Sequence, residues 1–191
     1  SFKKSLSLDK KEQYIDNNTT VLDYLSNSYY NDAVLYVDTI HYKESEVYFN
    51  MYKSLKRFIH PEYNFDKKDI DFNNAMASVY RMKYSNKKDH RKEYLDKALT
   101  CYKNTLAIDS MNYSANYNSG IIYHNLGVDL ILEELADDAE LEKVIMMEEL
   151  AIEYFSTSLP FLKRAYKVKP NDKSIIHGIV AVYYSLNEME N

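Results

Sequence analysis

Three glycines and three prolines serve a chain of 191 residues, and that scarcity of turning residues constrains the fold before any motif is read. A β-sandwich or barrel needs a turn signal about every dozen residues, and a phosphate-cradling loop needs clustered glycine. Glycine at positions 120, 127 and 178 supplies neither. Apolar residues recur at helical spacing instead, which predicts an all-α chain. With 46% hydrophobic and 28% charged residues the chain can bury a core, and no run approaches the ~18 apolar residues of a membrane span. Its start at Ser1 rather than Met is expected to reflect processing or trimming, which leaves open whether a signal peptide or lipid anchor preceded this numbering.

Residues 1–17 are polar and are expected to fray. Thr19 or Thr20 caps a helix to about Tyr30, and Asn31 and Asp32 open another to about Ile40. Ser45 opens a third, with Val47, Met51, Leu55 and Phe58 on its apolar stripe, and Pro61 stops it. These hairpins, residues 18–68, make an N-terminal part, set off by the polar stretch Glu62 to Lys68 from residues 69–191. Asp69 or Asp71 then opens a helix with Phe72, Ala75, Met76, Val79 and Tyr80, and Ser85 to Lys92 reads as a charged loop. A helix from about His90 to Ile108 carries Leu95, Ala98, Leu99, Tyr102 and Leu106, and Asp109 to Asn112 form the next turn. Helices of this length joined by short turns are antiparallel neighbours.

Residues 98–127 laid over residues 158–187 give five identities: Leu99 with Leu159, Lys103 with Lys163, Ser114 with Ser174, Tyr123 with Tyr183 and Leu126 with Leu186. Ten of the thirty pairs are apolar in both copies, against about six expected from composition, which points to an internal repeat. Ala98, Tyr102, Leu106 and Asp109-Ser110, followed by Tyr117-Asn118-Ser119-Gly120, Tyr123 and Leu126-Gly127, resemble the tetratricopeptide repeat, read from the second helix of one unit into the first of the next. In that pattern Gly120 and Ala98 let two helices approach, Tyr102 and Tyr123 fill the space between units, and Gly127 supplies a φ > 0 at a helix C-terminus. Ala165, Tyr166 and Lys169-Pro170-Asn171-Asp172 resemble the same repeat's closing turn, with Pro170 starting a final capping helix that carries Tyr183 and Leu186.

The family unit is about 34 residues, so a spacing of 60 leaves 26 to lengthen one hairpin, about 13 per helix or roughly 20 Å. Val128 to Ala136 then continues one helix, Asp137-Asp138 forms the tip, and Ala139 to Val168 returns, the elongation lying at about residues 128–150. The resemblance covers about residues 70 to 191 and implies an all-α, right-handed stack of antiparallel helical hairpins, a TPR-like superhelix with one elongated hairpin. It also implies a non-catalytic scaffold whose concave face binds a peptide or protein partner through Arg81, Tyr117, Asn118, Ile121, His124, His177 and Tyr184. The same residues equally read as the solvated inside of a short superhelix. Asn118-x-Gly120, His124-Asn125-Leu126-Gly127, Leu159-Pro160-Phe161 and Pro170-Asn171-Asp172 are similar to repeat proteins of the Bacteroidetes envelope, which implies a periplasmic or envelope address.

Catalytic chemistry finds little purchase. No His-Glu-x-x-His occurs, no histidine has Glu three residues before it as a carboxylate di-iron bundle requires, and Cys101 stands alone, so no cofactor, metal site or disulfide is expected. Charge is polarised. Nine acids against Lys143 lie between Asp129 and Glu149, while Arg81 to Lys103 holds eight Lys or Arg against three acids. The acidic hairpin reads either as a dock for a basic partner or a second copy, giving self-association, or as the solvated face of a long helix pair. A net charge of −5 makes nucleic acid an unexpected partner for the basic stretch and its tyrosines.

Overall fold

The computed structural model describes residue 4 and residues 15–86, 91–134 and 141–189. Among these lie seven α-helices and no strand: α1 (Ile15–Leu35), α2 (Tyr42–Ile59), α3 (Asp66–Asn86), α4 (Arg91–Ile108), α5 (Tyr113–Glu134), α6 (Leu141–Val168) and α7 (Lys173–Met189). The expected all-α class is therefore observed. The chain gathers into two compact units, Ser1–Ala98 and Leu99–Asn191, which divide inside α4. The sequence boundary at 68/69 falls instead in the first turn of α3. Most of the frayed segment, the tip Asp137-Asp138 and residues 87–90 of the charged loop lie outside the described residues, whereas Ser85, Asn86, Arg91 and Lys92 are helical.

In the first unit α1 runs unbroken through Asn31 and Asp32. Asn31 is exposed and Asp32 half-buried, and the buried face formed by Leu22, Ser26 and Ala33 carries on past them, so the cap-type residues have no end to cap. Thr20 likewise lies inside the helix, its hydroxyl donating to the carbonyl of Asp16. The turn comes later. Asp38 accepts the backbone N–H groups of Ile40 and His41, both at 2.6 Å, and pairs with the His41 ring Nδ1 at 2.8 Å. Paired residues then run in opposite order along α1 and α2: Ala33 with Ser45 (2.7 Å, hydroxyl to carbonyl), Tyr30 with Phe49 and Tyr52, Asp23 with Lys56 (2.7 Å). The same order links α2 to α3 through Tyr42 with Tyr80, Phe49 stacked on Phe72 at 3.8 Å, and Lys53 with Asp69.

The apolar stripe expected on α2 is on the wrong side. Val47, Met51 and Phe58 are exposed, and the buried face is Tyr42, Ser45, Phe49, Tyr52 and Leu55 with the stem of Lys56. Tyrosine ranks low on hydropathy, yet its ring brings more apolar area than valine or methionine and needs only a partner for its hydroxyl. Lysines close the aromatic core: Lys53 lies over the rings of Phe49 and Phe65, and Lys83 over those of Tyr42 and Tyr94 while donating to the Thr39 carbonyl at 3.0 Å. Burial pushes the Asp23 carboxyl up, but hydrogen bonds and charge from Lys56 and His60 hold it below the usual carboxylate range.

The Asp38–His41 pair offers a clean titration. The hydrogen bond to His41 holds the Asp38 carboxyl down to about 2, and the same bond raises the imidazole above its ordinary 6.5. The stabilising contribution of His41 is full below pH 6.5 and lost as pH rises through its raised value, while that of Asp38 is full above pH 3.8 and lost as pH falls toward 2. Asp38→Asn is expected to bring the His41 pKa back down toward 6.5 in an NMR titration; an unmoved His41 would show that Asp38 is not its partner.

The second unit holds the rest of α4 with α5, α6 and α7. Helix ends recur at the 60-residue offset: α4 stops at Ile108 and α6 at Val168, α5 starts at Tyr113 and α7 at Lys173. Each start is fixed by a side chain in the preceding turn, the Asn112 oxygen accepting the Ala115 N–H at 3.1 Å and the Asp172 carboxylate accepting the Ser174 N–H at 2.9 Å. Pro170 belongs to that turn and not to the helix. Buried positions recur too: Leu95, Ala98, Tyr102 and Thr105 of α4 return as Phe155, Ser158, Leu162 and Ala165 of α6, and Ala115 and Ile122 of α5 return as Ile175 and Val182 of α7.

Candidate partner-binding face

Six of the seven expected binding residues lie on α5 and α7, so what each helix turns toward α6 decides which can meet a partner. Helix α6 packs on α5 where α5 has no side chain. A Cβ on Gly120 would stand 2.6 Å from Leu162 Cγ, one on Gly127 would stand 2.5 Å from the Phe155 ring, and the Ser158 hydroxyl donates to the Gly120 carbonyl at 2.8 Å. Gly127 is thus an interior helical residue, and the φ > 0 expected of it is not needed; its role is close approach. Arg164 bonds the buried Asn116 oxygen at 2.8 Å while the Asn116 amide donates to the carbonyls of Ser110 and Asn112. This polar clasp was missed because an asparagine and an arginine 48 residues apart carry no local signal.

The N-terminal end of α5 is tied to the turn before α7. Tyr113 donates to the Asp172 carboxylate at 2.8 Å, and Lys169 lies 3.8 Å from the centre of its ring. Burial first, and then that bond, push the Tyr113 hydroxyl up to about 12; the Asp172 carboxyl is lowered by the same bond and by the Ser174 N–H.

Tyr117 and Ile121 pack against the core made by Ala151, Phe155, Leu162 and Val182. Tyr117 also stacks on Tyr113, and the Ile121 Cδ1 lies 3.5 Å from where a Cβ on Gly178 would be. The His124 ring sits 5.5 Å from Phe155, with its Nε2 buried and without a hydrogen bond. Asn118 is half-buried like these three, and its amide donates to the carbonyl of the half-buried Ser114 at 2.9 Å, with the exposed Asn125 two turns further along the helix. His177 and Tyr184 are exposed on α7. Arg81 belongs to the first unit, where it lines a hollow of about 300 Å³ with Ser78, Met82 and Ser85. Tyr117, Ile121 and His124 therefore contribute to packing while staying half-buried, Asn118 is half-buried on α5, and His177 and Tyr184 are exposed.

Among the described residues no three of His, Cys, Asp and Glu gather as metal ligands, and no helix is long and apolar enough to cross a membrane. Compared with family models, curated proteins and solved structures, the chain matches none.

Proposed function

We propose that the chain is a non-catalytic binding scaffold of tetratricopeptide-like hairpins, taking a peptide or protein partner along the polar row Ser114, Asn118 and Asn125 of α5. What supports this reading is the return of the same buried positions and the same capped turns after 60 residues. Repeats built this way bring equivalent helices side by side and present extended surfaces to partners. Holding the Asn118 amide against Ser114 sets the direction of its side chain before a partner arrives, which lowers the ordering cost of binding. An envelope address belongs to the same proposal and rests on the sequence resemblance alone.

The double variant Asn118→Ala, Asn125→Ala is expected to lose a partner that the wild-type chain retains in affinity capture, with far-UV circular dichroism unchanged. Equal retention by both proteins would place the site elsewhere. Tyr117→Ala is a poor probe, because it opens the core under the row.

A second reading is favoured by the outward side of the first half of α6. Glu142, Glu149 and Glu153 stand there in line, with Ile145, Met146 and Leu150 at 46%, 65% and 39% exposure beside them. In this reading the elongated hairpin assembles onto a basic surface, and added salt weakens the association.

A further inference from the structure

Twenty tyrosines, no tryptophan and the single Cys101 leave phenol rings as the main groups of this chain that give up one electron. One cysteine closes no intrachain disulfide, whereas two oxidised phenols in contact can join covalently. Distance and access decide which pair could do so. In the first unit three half-buried tyrosines lie ring over ring: Tyr29 on Tyr48 at 6.3 Å, and Tyr36 on Tyr48 at 5.5 Å with their planes 19° apart. Tyr30 and Tyr52 are nearer, at 5.2 Å, but their planes cross at 56° and Tyr52 is buried. Tyr113 and Tyr117 are parallel at 5.9 Å, but the Tyr113 hydroxyl is tied to Asp172, and the Lys169 ammonium 3.8 Å from the ring centre opposes the loss of an electron.

We propose that Tyr36 and Tyr48 are an oxidative cross-linking site: a peroxidase with hydrogen peroxide joins their rings and staples the turn after α1 onto α2. Each phenol gives up one electron to the peroxidase and its hydroxyl proton to solvent, leaving two phenoxyl radicals. A carbon–carbon bond forms between the ring positions ortho to the two oxygens. The hydrogen displaced from each of those carbons moves to its own phenol oxygen, which restores both aromatic rings. The chain has then lost two electrons and two protons, and hydrogen peroxide takes up the same number and leaves as two waters.

The local structure favours this pair over its neighbours. Tyr36 stands just past the end of α1, in the turn that leads to α2, where the backbone can yield the short distance that bonding requires; Tyr48 is fixed within α2. Tyr29, also stacked on Tyr48, is both farther away and held inside α1. Two radicals already in contact couple at a rate that does not depend on chain concentration, whereas a radical on an exposed tyrosine such as Tyr24 must wait for a second chain. The new bond would link positions 12 residues apart and restrict the unfolded chain as a disulfide does. This inference does not rest on the partner-binding row of α5.

Treating the whole chain, kept dilute, with a haem peroxidase and limiting hydrogen peroxide tests it. Dityrosine fluorescence is expected in the monomer band of a denaturing gel. Trypsin cuts after Lys43, so the peptide ending there and the peptide from Glu44 to Lys53 stay together only if bonded, and they are expected as one species two hydrogens lighter than their sum. Tyr36→Phe and Tyr48→Phe keep the stacked ring and lose the phenol; each is expected to lose that species with helicity unchanged, while Tyr29→Phe and Tyr52→Phe keep it. The purified cross-linked monomer is expected to unfold at higher urea than Tyr36→Phe treated in the same way, which carries the same methionine oxidation. Fluorescence confined to dimers, a Tyr36→Phe chain that yields as much cross-linked monomer as the wild type, or a cross-linked monomer with an unshifted urea midpoint would each overturn the proposal.

Discussion

Phe155→Ala is expected to cost the second unit about 3–5 kcal/mol. The ring is 2% exposed and is seated against the bare backbone of Gly127, with His124 on another side. Nothing at position 127 has a side chain with which to fill the space, so the cavity cannot collapse easily. The converse change makes the argument sharper. Gly127→Ala gains roughly 0.5–1 kcal/mol of helix preference but drives a methyl to 2.5 Å from a locked ring, and overpacking at about 1–3 kcal/mol outweighs that gain. Combining Gly127→Ala with Phe155→Leu should recover part of the loss. Urea unfolding followed by circular dichroism reads all three variants, and simple additivity in the double variant would show that the two residues do not share a space.

Tyr52→Ala is expected to have a comparable effect, about 3–5 kcal/mol, in the first unit. Its ring is 2% exposed and touches Tyr30, Phe49 and Phe65. Tyr52→Phe removes only a long hydroxyl contact to Tyr63, at 3.4 Å, and should cost about 1 kcal/mol or less. Burial, and then the Tyr63 hydroxyl, push the Tyr52 hydroxyl above the ordinary tyrosine range. The folded chain thus favours the protonated phenol, and that stabilisation is full below pH 10.0 and lost as pH rises above it. Denaturation at alkaline pH should accordingly be shallower in Tyr52→Phe than in the wild type; identical profiles would remove Tyr52 from the account.

Where the sequence could be read, chain punctuation was what made it legible. The turn at Asp109 to Asn112 was placed to the residue, because a polar side chain that caps a helix leaves a local mark. Pro61 marked the end of α2 and the offset of 60 marked the return of the same turn before α7. Facing was harder. Val47, Met51 and Phe58 stand at good helical spacing and are exposed, because tyrosines at Tyr42 and Tyr52 hold the interior of α2. Tyr117, Ile121 and His124 were expected in a groove on the strength of which helix they occupy, but rotation about that helix is fixed by glycines. Gly120 and Gly127 draw α6 onto one side of α5 and carry those three residues inward with it.

Leu162 is seated against the positions of both Gly120 and Gly178. One side chain therefore stands between α5 and α7, and neither helix can leave α6 without uncovering it. Amide protons of α5, α6 and α7 near this residue should exchange with solvent in a single opening event rather than helix by helix. Toward the far end of the long hairpin the exposed Leu132, Leu141 and Met146 have no such bond to the rest, and exchange there should proceed by local fraying. The same pair of helices would then be slow to open at one end and quick at the other, with the transition lying near Phe155.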